Sequence, residues 1–164
     1  MKKVFVLSLI VFIMSTIAAA RQDRAEFFTR KGMQSTYLEV GGNGLFLTVN
    51  YEKFLTNELG LRIGGLIVPT ESGVSVFSTI MGNGVWGDGN LCMEAGLGVV
   101  AIVGEFVLLA TDDSSSTALA LTGTLGLRYQ PKRKGIIFRL GFTPIIASGG
   151  ILPWGGVSIG YSFK

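Results

Sequence analysis

The sequence contains no histidine and a single cysteine, Cys92, among 164 residues. An intramolecular disulfide is therefore excluded. The usual imidazole ligand of zinc sites and the usual base of Ser or Cys nucleophiles are missing as well. Charge is scarce: Asp, Glu, Lys and Arg make up 15% of the chain, against about a quarter in an average soluble domain. What fills the space is apolar or small, with 48% hydrophobic residues and 24 glycines. Length bounds the chain to one domain, and its composition is too apolar for an ordinary water-soluble one.

The N-terminus follows the pattern of a secretory signal peptide. Met1-Lys2-Lys3 is a short positive start, 4–17 is mostly apolar, and Ala18-Ala19-Ala20 supplies small residues before Arg21. Residues 1–20 are expected to be removed after Ala20. The run is shorter than the ~20 residues that span a bilayer comfortably, which argues against an uncleaved anchor. No cysteine follows it, so lipoprotein processing is not indicated. Loss of Lys2 and Lys3 brings the formal charge of +3 close to neutral. The one basic cluster, Lys132-Arg133-Lys134, lies between Pro131 and Gly135 in an expected turn, so no nucleic-acid partner is implied.

Residues 21–34 are charged, show no clear period and are expected to form an N-terminal periplasmic tether. From 35 to 164 the chain divides into about eight apolar segments separated by turn residues at 41–44, 53–58, 69–73, 83–90, 105–117, 130–135 and 148–153. That spacing is expected of an all-β sheet closed on itself. Inside the segments the period is two. Val157, Ile159, Tyr161 and Phe163 alternate with Gly156, Ser158, Gly160 and Ser162. Ile136, Phe138, Leu140 and Phe142 alternate with Ile137, Arg139, Gly141 and Thr143. Segments 118–129, 91–103, 59–67 and 45–51 follow the same rule, whereas 37–41 is short and 74–82 alternates poorly. The most apolar internal stretch, 97–110, is broken by Glu105 and contains the β-branched Val99, Val100 and Val103, which favour strand over a membrane helix.

The second face of these strands carries Gly, Ser, Thr and Ala with isolated charges. It lacks the Lys and Glu density of a solvated surface and suits the narrow interior of an eight-stranded barrel. The opposite face, rich in Leu, Ile, Val and aromatics, then has lipid as its natural solvent. Segments of this length cross the hydrocarbon layer when tilted, and a sheet in lipid must close. The expected fold is an all-β, eight-stranded antiparallel transmembrane β-barrel with short loops.

With both termini on the periplasmic side, position along each strand gives depth. Tyr51, Tyr129, Phe138, Tyr161 and Phe163 fall together as an aromatic girdle at the periplasmic interface. Glu39, Glu52, Arg62, Glu94, Arg128 and Arg139 share the periplasmic half of the lumen as a balanced charge network. At least two Glu to Arg contacts under about 4 Å are expected among them, because unpaired buried ions are strongly disfavoured.

Several stretches resemble small outer-membrane β-barrel proteins common in Bacteroidetes-type bacteria. These are Tyr37-Leu38-Glu39-Val40-Gly41-Gly42-Asn43-Gly44, Asn50-Tyr51-Glu52, Leu125-Gly126-Leu127-Arg128-Tyr129-Gln130-Pro131, Phe138-Arg139-Leu140-Gly141-Phe142-Thr143-Pro144 and the closing Pro153-Trp154 to Gly160-Tyr161-Ser162-Phe163. The resemblance implies an integral outer-membrane barrel, usually of unassigned function. It also implies that the last strand, with Tyr161 and Phe163, is an insertion signal for the barrel-assembly machinery, although Lys164 follows the usual terminal aromatic.

Motifs for chemistry are weak. Gly96-Leu97-Gly98 and Gly87-Asp88-Gly89 open no helix in a βαβ unit and form no phosphate loop. Asp112-Asp113-Ser114-Ser115-Ser116 fits a solvated loop tip better than a cation site, and Cys92 on the small face fits a buried thiol. Lipid A deacylases and palmitoyl transferases are also small barrels, and likeness to them would imply a catalytic His that this chain does not have. The expected function is a structural or surface-interacting outer-membrane barrel with a side-chain-filled lumen, in contact with outer-membrane lipid, without catalysis, cofactor or metal. Two other classes are open: a narrow pore for small solutes or ions, and a secreted soluble lipocalin-like barrel binding a small apolar ligand. The pore needs a continuous water path, the lipocalin needs the apolar face inside, and a charge plug predicts that Arg62→Ala with Arg139→Ala opens conductance.

Overall fold

The computed structural model describes residues 29–70, 73–103, 117–147 and 150–164. The expected signal peptide, residues 21–28 of the expected tether, and nearly all of 105–117 with Asp112 and Asp113, lie outside the described residues. The elements are β1 (Gln34–Gly41), a 3-10 turn η1 (Gly42–Gly44), β2 (Leu47–Phe54), β3 (Leu59–Thr70), β4 (Gly73–Trp86), β5 (Leu91–Val103), β6 (Thr117–Tyr129), β7 (Gly135–Phe142), β8 (Ile145–Ala147), β9 (Gly150–Leu152) and β10 (Gly155–Phe163). No helix among the described residues is long and apolar enough to cross a membrane, which says nothing against crossing by strands.

Every pairing is antiparallel. The sheet runs from β5 through β4, β3, β2, β1, β10 and β7 to β6, and β5 pairs with β6 to close it. Ten strand segments build eight staves, because β8 prolongs β7 and β9 leads into β10. Leu125 pairs with Phe142 and Leu121 with Ile146, so one register holds across Thr143 and Pro144. Leu152 pairs with Ile145 and Gly155 with Phe142, so it also holds across Pro153 and Trp154. The prolines interrupt the ladder because they donate no N–H. Neighbouring groups carry it on: Gly123 N donates to Pro144 O at 3.1 Å and Thr143 N to Trp154 O at 2.8 Å. Two expected separators are therefore shorter than they look in the sequence. The stretch 148–153 contains β9. In 83–90 the strand continues through Trp86, since Asn83 faces inward and its Nδ2 donates to Glu52 Oε1 at 3.0 Å.

The two faces are inverted relative to a water-soluble domain. Leu97 is 78% exposed and Leu119 74%, whereas Arg62, Arg128 and Glu52 are fully buried. A lipocalin-like arrangement, with the large apolar face inside, is thereby overturned. The lumen is nevertheless not lined only by small and polar residues. Phe77 and Met81 point inward on β4 while Ser78 and Gly82 point out, which is why 74–82 alternates poorly. Leu45, Phe77, Val100, Ile102, Ala120 and Ile145 form an apolar cluster inside the loop end. Met33, Phe54, Val85 and Cys92 form another at the end holding both termini.

Charged side chains lie between these two layers. The turn after β1, which the sequence suggests is only a connection, folds into the lumen: Gly42, Asn43, Gly44 and Leu45 are all buried. Gly41 and Gly42 both take φ of 70° to turn the chain inward, a conformation that glycine adopts at little cost.

The wall opposite this turn is built of glycine. Gly41, Gly156, Gly141 and Gly126 are register neighbours on four adjacent staves. A Cβ on Gly156 would sit 2.5 Å from the backbone N and Cα of Gly42, so Gly156→Ala must displace the inward turn. A loss of about 1–3 kcal/mol is expected from such overpacking, read as a lowered urea midpoint of the detergent-folded protein.

Candidate functional site: the charged lumen

Alternation on the strands aims the six charged side chains inward, and pairing brings their strands to one level. The contacts form a chain of alternating sign: Arg62, Glu39, Arg139, Glu94, Arg128, Glu52. Arg62 Nη2 contacts Glu39 Oε2 and Arg139 Nη2 contacts Glu94 Oε1 as close ion pairs. Arg139 Nε donates to Glu94 Oε2 at 2.9 Å. Arg128 reaches Glu52 Oε2 at 2.5 Å and Glu94 Oε2 at 3.5 Å, and Arg139 Nη1 lies 4.0 Å from Glu39 Oε1. β6 and β2 stand on opposite sides of the barrel, so the Arg128–Glu52 pair spans the lumen. In a site this dry the pairing offsets the desolvation that each ion would otherwise suffer.

Neutral side chains complete the site, and sequence patterning does not single them out. Arg62 Nε donates to Asn50 Oδ1 at 2.9 Å and its Nη1 to Asn43 Oδ1 at 3.1 Å. Asn43 Nδ2 in turn donates to Thr122 Oγ1 at 2.6 Å and Gly123 O at 2.7 Å on the far wall. The inward turn is thus pinned to the charge network on one side and to β6 on the other. Two guanidinium groups lie over the Tyr37 ring, Arg139 at 4.7 Å and Arg62 at 5.4 Å from its centre; Arg128 lies 5.2 Å from the Phe54 ring. These cation–π contacts join the charged layer to its aromatic surroundings. The two glycines around Asn43 are the one signal that hints at an unusual turn.

Both ends of the network are shut. At the loop end, Leu45 enters the apolar cluster, and Trp154 Nε1 donates to Leu45 O at 3.0 Å. At the opposite end, the chain before β1 turns under the barrel: Met33 is buried, and Arg30 Nη2 donates to Gly87 O at 2.6 Å and to the buried Cys92 Sγ at 2.9 Å. A cavity of about 10 Å³ lies beside Glu39, Glu94, Thr143 and Arg139, roughly the space of one water. Among the described residues no cluster of His, Cys, Asp or Glu is arranged to hold a metal.

The five aromatic residues singled out in the sequence lie on four staves, β2, β10, β7 and β6, with only β1 standing between β2 and β10. Tyr51 and Tyr161 flank Thr36 in one register row. Tyr129 and Phe138 are paired, with ring centres 6.5 Å apart. Tyr51 Oη donates to Gln34 Oε1 at 2.6 Å, and Gln34 pairs with Phe163. Trp86, at the same end of β4, extends the band onto staves that otherwise carry Leu and Met there.

No protein-family profile and no curated protein sequence matches the chain. Solved structures do. The N-terminal β-barrel domain of OprF from Pseudomonas aeruginosa is similar with a TM-score of 0.58 at 10% identity, over 81% of this chain and 98% of that one. The outer membrane protein Ail of Yersinia pestis, in a phospholipid bilayer nanodisc, gives 0.50 at 11% identity over 81% and 100%. At such identity the likeness establishes the fold, a small closed antiparallel barrel of eight staves.

Glu94 accepts hydrogen bonds from two arginines, Arg139 on both oxygens and Arg128 on Oε2 at 3.5 Å. Glu94→Ala leaves Arg128 and Arg139 short of a counter-ion and is expected to cost about 3–5 kcal/mol. Lys53→Ala, on the exposed face of β2, should stay within about 0.5 kcal/mol. Denaturation midpoints of the two variants side by side check this.

Proposed function

We propose that the chain is an integral outer-membrane β-barrel whose lumen is filled by its own side chains, with a structural or surface-interaction role and no catalysis. The observation that carries this reading is the pairing of opposites across one wall. Large apolar side chains such as Leu97, Leu119, Leu140 and Phe142 stand exposed all round the outside, while the ions are sealed inside. Burying that outer belt in water-free surroundings yields about 25 cal/mol per Å², so lipid is the solvent it fits. The charge network serves as a brace across the lumen, and the aromatic band marks the periplasmic interface. Within this reading residues 1–20 direct export, 21–34 tether the barrel on the periplasmic side, outer-membrane lipid surrounds it, and the barrel-assembly machinery recognises the closing strand with Tyr161 and Phe163. The sequence likeness to Bacteroidetes-type small barrels and the fold likeness to OprF and Ail both support it.

The two apolar layers alter one expectation. Arg62→Ala with Arg139→Ala removes charge but leaves Leu45, Phe77 and Ile145 above it and Phe54 and Val85 below. That pair of substitutions alone is therefore expected to stay silent in planar bilayers, as is the wild type. Steady wild-type conductance would favour the narrow pore instead.

The membrane reading itself is checked by fractionation and by gel migration of detergent-solubilised protein, boiled and unboiled. A membrane-fraction protein whose band shifts on boiling is expected. A protein soluble without detergent, with no shift, would overturn it.

A further inference from the structure

The barrel wall is not of even height. β3 pairs with β4 along its whole length, from Leu59 with Gly84 to Thr70 with Gly73. Its pairing with β2 ends at Gly65 with Val49. On the other side, β10 pairs with β1 only as far as Gly156 with Gly41, although its stave continues to Gly150. The reason is the inward turn, which takes residues 42–45 out of the wall and into the lumen. Among the described residues, 68–70 on β3 and 150–155 on β9 and β10 therefore face a notch at the loop end, two staves wide, while 66 and 67 lie at its floor, level with Thr48 and Leu47 of β2. Three interstrand steps give roughly 14 Å across.

The lumen-facing side chains register this opening. Leu66, Val68 and Leu152 point inward and pack on the apolar cluster, yet they are only half-buried. Across the barrel on β5, Val100 and Ile102 of the same cluster are buried at 0–2% exposure. The notch thus exposes the apolar interior sideways. Its outer flanks are apolar too, with Ile67 67% and Ile151 68% exposed, so it is continuous with the lipid-facing belt.

We propose that this notch is a lateral seat for the acyl chain of a bilayer lipid, which lies between the two edges against Leu66, Val68 and Leu152. The proposal rests on the membrane reading above. Three features favour a hydrocarbon chain over an added polypeptide strand. Among the described residues the inward lining, Leu66, Val68 and Leu152 with Trp154 beside them, is apolar and carries no charge. Both edges hold a proline, Pro69 and Pro153, the residue with which sheet edges resist strand addition. The notch lies at the rim, where lipid headgroups and water can satisfy the free backbone groups of the edges while the chain covers the apolar surface below.

The experiment uses the full chain in vesicles of phosphatidylcholine carrying a diazirine near the end of one acyl chain, with adducts mapped by mass spectrometry after illumination. Expected are adducts on the inward-facing Leu66, Val68 and Leu152 as well as on the outward Leu97 and Leu140. In a Val68→Phe, Leu152→Phe variant, which fills the notch, the inward adducts should be lost and the outward ones kept. Outward adducts alone in the wild type overturn the seat and leave the membrane reading standing. Adducts at neither set overturn both, and inward adducts that persist in the filled variant overturn the seat. Interchain disulfides in a Val68→Cys, Cys92→Ala variant would assign the notch to a second copy of the chain and overturn it equally.

Discussion

A single chain of ion pairs, running from Arg62 through Glu39, Arg139, Glu94 and Arg128 to Glu52, holds the interior of this barrel together. The other interior features accommodate it. Ions so deeply removed from water are tolerable only if each finds an opposite charge and further hydrogen bonds. Asn50, Asn83 and Ser158 supply some of these from the wall, and Asn43 supplies another from a turn that enters the lumen for the purpose. The apolar layers above and below keep water from competing with these contacts, and the low local dielectric strengthens every one of them. Removing a layer would weaken the pairs, and removing a pair would leave a layer resting on a bare ion.

The same constraint fixes the outside. Because the side-chain period of a strand is two, a slip of one residue would carry Glu39, Arg62 or Glu94 to the outer face and bring Leu38, Ile63 or Met93 inside. The charges therefore select register as well as filling space. The wall also needs glycine where a stave crowds the inserted turn, and Gly156, in the register row with Gly41, Gly141 and Gly126, falls at that place.

Much of this was legible in the amino-acid order because the period of a strand is local. Segments such as 136–142 and 157–163 declare their two faces within eight residues, and a scarcity of Lys and Glu on the small face marks it as the inside. The six charges stand out because they interrupt that face. What alternation does not reveal is anything decided by neighbours distant in the chain. Phe77 looks misplaced until Val100 and Leu45, its partners in the apolar cluster, are seen. Asn83 resembles a turn residue until Glu52 is found beside it. Asn43 lies in what looks like an ordinary Gly-rich connection, and only the far wall, at Thr122 and Gly123, explains why the chain turns inward there. The prolines at 144 and 153 suggest a break between strands, yet the register runs on because the two interruptions face each other across a hairpin.

The inward turn belongs to β1, and β1 is also where the first and last staves meet, since it pairs with β10. The element that fills the lumen and the element that seals the cylinder are thus one piece of chain. In the folded barrel, the strand that carries the Asn43 anchor to β6 is the strand that closes the wall on β10. Seam and filling are therefore coupled, and whatever loosens the one strains the other.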